Sequence, residues 1–193
     1  PKISLITSVF KADKYIAQLM EDVTRQTIFK EKCEWIILNA NEKGHHFEEE
    51  IILKYVEKYP NNIIYKRLEK DPGVYNTWNE AIKMATGQFI TNINCDDRRR
   101  PDAIEEQAKL LVSGPDIDLV YNDSYVVHEP NIMWEDLNPE KTPRYNFEQF
   151  SLEAMLRGNL PHNNPMWRKS LHDKHGYFNQ HYKSAGDWEL WLK

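Results

Sequence analysis

QFITNINCDDRRRP, residues 88–101, is the stretch that decides how the chain folds. Its first eight residues are an apolar, strand-like run that ends in two adjacent carboxylates, Asp96 and Asp97. Three arginines and a proline follow. Carboxylates in contact repel, and each resists ionisation beside the other. Compensation must come from Arg98–Arg100, from a metal ion, or from a ligand rich in hydroxyls.

On either side, the first half of the chain alternates between two patterns. ISLITSVF (3–10) is apolar and β-branched and reads as a buried strand. KYIAQLMEDVTRQT (14–27) sets Tyr15, Ile16, Leu19, Met20 and Val23 at helical spacing. CEWIILNA (33–40) is a second buried strand. FEEEIILKYVEKY (47–59) is a second helix, its acidic first turn suited to its dipole, and Pro60 stops it. NIIYKRL (62–68) is a third strand. In VYNTWNEAIKMATG (74–87), Val74, Trp78, Ala81, Ile82 and Ala85 share one helix face, with Gly87 as C-cap. QFITNINC is the fourth strand, PDAIEEQAKLLVSG (101–114) the next helix with Pro101 at N1, and IDLVYNDSYVV (117–127) a fifth strand.

Strand–helix alternation of this kind predicts an α/β fold, a mostly parallel sheet flanked by helices on both faces. Ligands of such sheets bind at the carboxyl ends of the strands. The polar residues expected there are Thr7, Ser8, Asn39, Asn41, Asp71, Asp96 and Asp97. Beyond residue 128 the alternation breaks down. EPNIMWEDLNPEKTPRYN reads as a loop, FEQFSLEAMLRG (147–158) as a helix ending at Gly158, and LPHNNPMWRKSL as a turn leading into a short strand. The aromatic-rich GYFNQHYKSAGDWELWLK ends as a helix beginning near Asp187.

The chain has 193 residues, 40% of them hydrophobic, which suits a single domain with a sizeable core. Its net charge of -5 offers no reason to expect nucleic acid. Two cysteines, Cys33 and Cys95, exclude a disulfide-dense scaffold or a cysteine-rich zinc site and fit a reducing, cytoplasmic compartment. No apolar run approaches the roughly 20 residues of a membrane span, and no signal peptide is visible. Lys193 falls inside what reads as a helix, so the chain is expected to be a piece of a longer protein, truncated on its C-terminal side.

The order of segments resembles the family 2 inverting glycosyltransferases of the GT-A fold. ISLITSVFKADKYIAQLMEDVTRQT is similar to that family's opening strand and helix. DPGVYNTWNEAIKMATGQFI is similar to its D-x-G…N-x-(A/G)-I-x-x-A-x-G-x-(Y/F)-I segment, NCDD to its D-x-D-D motif, and SAGDWELWLK to its late (E/A)-x-D-(W/Y)-x-L-W segment. The likeness runs over essentially the whole chain. It implies a Rossmann-like GT-A domain, with residues 1–127 as a nucleotide-sugar-binding half and 128–193 as an acceptor-side half. It also implies transfer of a sugar from a nucleotide-diphosphate sugar, UDP by default, to a hydroxyl acceptor. Polysaccharide, glycolipid or cell-surface glycan synthesis is the expected setting, with a glycan or lipid-linked acceptor at the inner face of a membrane.

A diphosphate leaving group must be neutralised as its charge develops, commonly by Mg2+ or Mn2+. By resemblance, Asp97 binds that metal, and Asp96 contacts the ribose hydroxyls or shares the metal. The rival account is a solvated turn in which Arg98–Arg100 neutralise the pair. Asn94 stands where the family often has Asp, which keeps a carbonyl but loses a charge. Asn39-Ala40-Asn41-Glu42 stands where the family often has D-D-x-S, and an amide carbonyl can also accept a base N–H; the alternative is that these asparagines shape a turn.

Thr7 and Ser8 match the nucleotide loop, with backbone capping as the plainer role. Asp71 matches the acidic residue beside the nucleotide, or is a turn residue before Pro72-Gly73. Asn79 is as readily a structural hydrogen-bonder as a ligand contact. Asp187 matches the general base that inverting transfer needs within reach of the acceptor hydroxyl, with Gly186 leaving room for close backbone approach; the plainer role is an N-cap. His162 could touch sugar or phosphate, although a satisfied structural histidine is the plainer reading. Trp134, Trp167, Trp188 and Trp191 could stack on a sugar, with core packing the default. A catalytically inactive GT-A-like module that only binds a nucleotide sugar or a partner is the rival in a different class.

Overall fold

A computed structural model of the chain describes residues 2–193. Its centre is a six-stranded sheet built from β1 (Ile3–Val9), β2 (Cys33–Asn39), β3 (Ile63–Arg67), β4 (Phe89–Asn92), β5 (Leu119–Val120) and β8 (Met166–Arg168), in the order β3-β2-β1-β4-β8-β5. The first four are parallel. The helices are α1 (Ile16–Thr24), α2 (Phe29–Lys32), α3 (Phe47–Lys58), α4 (Val74–Met84), α5 (Ala103–Ser113), α6 (Leu152–Arg157), α7 (Leu171–His175) and α8 (Gly186–Trp191). Two short strands, β6 (Ser124–Tyr125) and β7 (Arg144–Tyr145), pair apart from the main sheet. No helix among the described residues is long and apolar enough to cross a membrane.

The strands are apolar throughout because both sheet faces are covered. Alternation sends Leu5, Val9, Trp35 and Ile37 into one core with Leu19 and Met20 of α1 and Ile52 of α3. The opposite parity sends Ile6, Ile36 and Leu38 into a second core with Ala81 and Ile82 of α4. Each fully buried side chain of this size contributes about 1.5–3 kcal/mol relative to exposure. Segments beyond residue 128 enter the same structure: Trp167, Phe178 and Leu190 belong to the second core.

Several sequence expectations are corrected here. The expected strand at 117–127 is two strands in two sheets, β5 in the main sheet and β6 paired with β7, and between them the Asn122 side chain accepts a hydrogen bond from Gln107 Nε2. The expected helix at 147–158 is only α6, which starts after Ser151, whose hydroxyl accepts from the Ala154 N–H at 3.1 Å. Asp102, not Pro101, flanks the start of α5. The short strand expected near Pro165 exists as β8, but it inserts antiparallel between β4 and β5. Gly87 is not the C-cap of α4; that position is Ala85. Glycine is required at 87 because a Cβ there would lie 2.6 Å from Ser4 Oγ and 2.7 Å from Ser4 N.

The amino end of the sheet carries a buried carboxylate, Glu34. It accepts from Ser4 Oγ at 2.6 Å, from Thr86 N at 2.5 Å and from Thr86 Oγ1 at 2.8 Å, and pairs with Lys2 at 2.5 Å. Burial pushes its pKa up, but the Lys2 contact and these donors outweigh it, and the pKa falls from 4.5 to about 2. The folded pKa is below the unfolded one, so the stabilisation is complete above pH 4.5 and is lost as pH falls toward about 2. In urea melts of Glu34→Gln against the parent, the gap in midpoint is therefore expected to be largest above pH 4.5 and to shrink on acidification. A gap that does not change with pH would contradict this account.

Candidate active site

Every parallel strand delivers its carboxyl end to one rim. Thr7 and Ser8 lie near the end of β1 and Asn39 closes β2. Asp71 lies in the loop between β3 and α4, and Asp96 and Asp97 follow β4. The Ile93 N–H bonds Ile6 O at 2.8 Å, which pins the start of the carboxylate loop against β1. The rim is thus the one expected for a ligand site.

A cleft of about 950 Å³ opens beside this loop. Asp96 and Asp97 line it together with Tyr121, Tyr125, Trp134 and His162. Asp96 is exposed and Asp97 half-buried. Burial, and secondarily the Asp96 charge, raise the Asp97 pKa, while a hydrogen bond from Asn94 Nδ2 at 2.9 Å opposes the rise. Asn94, where the family motif often has an acid, therefore orients Asp97 as an amide donor.

None of the three arginines forms an ion pair with Asp96 or Asp97 among the described residues, although Arg98 and Arg99 lie near enough to act on their charge. Arg98 donates to the carbonyls of Cys95, Asp97 and Tyr15 and to Asn131 Oδ1. Arg99 donates to Gln107 Oε1, Thr91 Oγ1 and the Asn92 carbonyl, and burial lowers its pKa to about 10. Arg100 pairs with Asp102. Their role is to brace the loop. Asp22 of α1 joins them, accepting the Arg99 N–H at 3.1 Å, and burial raises its pKa to about 6. Neither Asp96 nor Asp97 forms an ion pair among the described residues, although Arg99 and His162 are near enough to favour the Asp97 charge.

Other predicted site residues divide by burial. The Thr7 side chain is fully buried, its hydroxyl donating to Ile93 O at 3.0 Å and accepting from Trp35 Nε1 at 2.8 Å. Asn39 is fully buried, donating to Tyr65 Oη and accepting the Asn41 N–H, both at 3.0 Å. Asn41 accepts the Lys11 N–H at 2.7 Å and donates to Glu48 Oε1 at 3.0 Å. These three side chains hold the loops of the rim and do not line the cleft. Ser8 is half-buried on the other face of β1. Asp71 is exposed, and its Oδ1 accepts the Gly73 N–H at 2.8 Å, closing a turn. Asn79 is structural: it donates to Phe178 O at 2.8 Å and accepts from Phe178 N at 3.0 Å.

Asp187 is the second residue of α8 and is half-buried. The N-cap position is Ala185, in a left-handed conformation, so the Asp187 carboxylate is not used as a cap. Its oxygens accept from Tyr75 Oη at 3.1 Å and Asn159 Nδ2 at 2.6 Å. Tyr75 Oη also accepts the Gly186 N–H at 2.8 Å, and a Cβ at Gly186 would sit 2.8 Å from Tyr75 Cε2. Tyr75 opens α4 just after the Asp71 turn, which sets Asp187 on the same rim as the carboxylate pair, outside the lining of the cleft. Nothing local in the sequence marks Tyr75 or Asn159, because their partner Asp187 is 112 and 28 residues away.

The aromatic readings also resolve. Trp167 is fully buried, Trp191 packs on it with ring centroids 5.1 Å apart, and Trp188 donates to Met155 O. Trp134 is the exception: half-buried, it meets Tyr125 edge-on at 5.9 Å on the cleft wall. His162 is no buried structural histidine. It is exposed in the cleft with a left-handed backbone, φ 46°, beside the Phe147 ring at 5.5 Å.

Comparison with known proteins agrees with the fold. An uncharacterized glycosyltransferase of Methanocaldococcus jannaschii is 25% identical over 194 residues, covering 100% of this chain and 64% of that protein. The structure of S. aureus TarS 1–349 in complex with UDP-GlcNAc superposes with a TM-score of 0.73 at 21% identity, over 98% of this chain and 52% of that one. The mannosyltransferase PcManGT of Pyrobaculum calidifontis, in complex with GDP-Man and Mn2+, superposes at 0.70 with 14% identity, over 98% of this chain and 50% of that one. The chain spans less than two thirds of each of these proteins. The two solved structures share the GT-A fold seen here, and the profile described as glycosyl transferase family 2 matches residues 4–176 of this chain. The chain belongs to glycosyl transferase family 2.

Proposed function

We propose that this domain transfers a sugar from a UDP-sugar to an acceptor hydroxyl with inversion at the anomeric carbon, using Mn2+ or Mg2+ at Asp97 and Asp96. The observation that carries the reading is the carboxylate pair itself. Two adjacent acids face a cleft, neither is ion-paired among the described residues, and the arginines beside them are turned to other acceptors. An all-oxygen site with room for phosphate and water suits a hard divalent cation. When bound, that cation would offset the charge developing on the leaving diphosphate.

The chain's own residues do the rest. Asp97 is oriented by Asn94, and the arginine-braced loop holds both acids against the start of α1. Ser8 and Asp71 also lie outside the lining of the cleft, but their side chains are at least partly exposed at the strand ends, where the nucleotide would reach them. Asp187, held by Tyr75 and Asn159, accepts the proton of the acceptor hydroxyl. The hydroxyl oxygen bonds to the anomeric carbon as the bond to the diphosphate oxygen breaks, and UDP departs with that electron pair. Tyr121, Tyr125 and Trp134 offer ring faces and edges for sugar packing along the cleft. The donor is held chiefly by residues 1–127 and the acceptor by 128–193, in polysaccharide, glycolipid or cell-surface glycan synthesis.

A thermal-shift panel of UDP, GDP, dTDP and CDP, each with and without Mn2+, tests the donor. UDP is expected to give the largest metal-dependent rise, about 2.7 kcal/mol of added stability at 100 times its Kd. A larger rise with GDP would reassign the donor. Metal-dependent UDP binding with no release of UDP from any UDP-sugar, in a chain extended past Lys193, would favour the inactive binding module.

A further inference from the structure

A second group of ligand-type side chains lies on the same rim, outside the cleft. Asp13 follows β1, and His45 and Glu48 straddle the start of α3. One ligand atom of each lies within 4.8 Å of the others. His45 Nε2 is 2.8 Å from Asp13 Oδ1 and 2.5 Å from Glu48 Oε2. The Glu48 side chain is fully buried, and its two oxygens differ. Oε1 accepts the Ala12 N–H at 2.8 Å and Asn41 Nδ2 at 3.0 Å. Oε2 receives no hydrogen bond among the described residues, despite its closeness to the imidazole.

An imidazole Nε2–H can serve one acceptor well, and here it lines up with Asp13. The buried Oε2 is left with only the poorly aligned 2.5 Å contact to the same nitrogen and no other donor among the described residues. With the proton on Nδ1 instead, three lone pairs converge: one from nitrogen and two from carboxylate oxygen. Glu48 is already oriented through its other oxygen, as outer-shell bonds orient metal ligands. We propose that Asp13, His45 and Glu48 form a second divalent-cation site, distinct from Asp96 and Asp97. Its mixed nitrogen and oxygen ligands suit Zn2+ and disfavour Mg2+, which takes oxygen donors and holds its waters. A cation there ties the loop after β1 to the loop after β2, bracing the rim. This inference is independent of the proposed transfer reaction.

Zn2+ binding followed by calorimetry, in the full chain carrying Asp96→Ala and Asp97→Ala, separates the two sites. One Zn2+ per chain is expected to bind there, unaffected by millimolar Mg2+. Adding His45→Ala should weaken it at least tenfold, and Asp13→Asn should do the same; loss of even an outer-shell partner costs about 10–100-fold. Both residues are partly exposed, so an unchanged metal-free thermal midpoint is expected to show that the fold survives. The proposal fails if no stoichiometric Zn2+ binds, or if neither substitution weakens it. It also fails if NMR in the presence of Zn2+ still shows a protonated His45 bridging the two carboxylates.

Discussion

Asp187→Asn is expected to slow glycosyl transfer by about 10²–10⁴-fold, the usual contribution of a positioned general base. The substitution keeps the shape of the side chain and removes its ability to take a proton. Because Ala185 occupies the N-cap position, the exchange does not remove a cap from α8, and little stability should be lost. What changes is a carboxylate held from two sides, by Tyr75 Oη and Asn159 Nδ2. Tyr75→Phe should give a smaller loss, since it removes one donor and the acceptor of the Gly186 N–H but leaves the base. Initial rates at saturating donor, alongside UDP and Mn2+ thermal shifts, distinguish a chemical from a binding defect. The shifts should match the parent's. Parental turnover in Asp187→Asn would move the base elsewhere, with Glu189 on the same helix the next candidate.

Asp97→Ala is expected to abolish the Mn2+-dependent part of UDP stabilisation and to reduce transfer by about 10²–10³-fold or more, the scale of losing one preorganised charge-stabilising group. Arg98, Arg99 and Arg100 are engaged with carbonyls, amides, a hydroxyl and Asp102, and none of the three pairs directly with Asp96 or Asp97 in the place a metal would take. Asp97 is also the more buried of the two acids, held by Asn94. Asp96→Ala, at an exposed position, should weaken nucleotide affinity more moderately. Equal Mn2+-dependent binding of UDP by Asp97→Ala and the parent would remove the metal role.

Much of this fold was legible in the chain. Buried strands with both faces covered must be apolar along their whole length, and ISLITSVF and CEWIILNA are. The rim position of Asp96 and Asp97 followed from strand–helix alternation alone. The alternation breaks down after residue 128, and from Leu119 onward the strands are only two or three residues long and take their place from partners far away in sequence. Nothing within MWR at 166–168 says that it enters between β4 and β5; Thr91 and Leu119 do, by pairing with Met166 and Trp167.

Site residues divide along the same line. Which residue types stand at the strand ends is a local property, and the sequence by itself determined it: an acidic pair after the fourth strand, polar residues after the first two, an aspartate opening the last helix. Whether each faces a ligand depends on tertiary partners. Thr7 shares the parity of Leu5 and Val9, so its hydroxyl turns into the core toward Trp35, while its neighbour Ser8 faces the other way. Asn39 and Asn41 could as well have met a base; Tyr65, Lys11 and Glu48 take their amides instead. The arginines after Asp97 read equally well as its counter-ions until the fold supplied them with other acceptors. Composition and periodicity reflect solvation, which acts residue by residue. Hydrogen-bond allegiance is settled between side chains that only the folded chain brings within about 3 Å of each other.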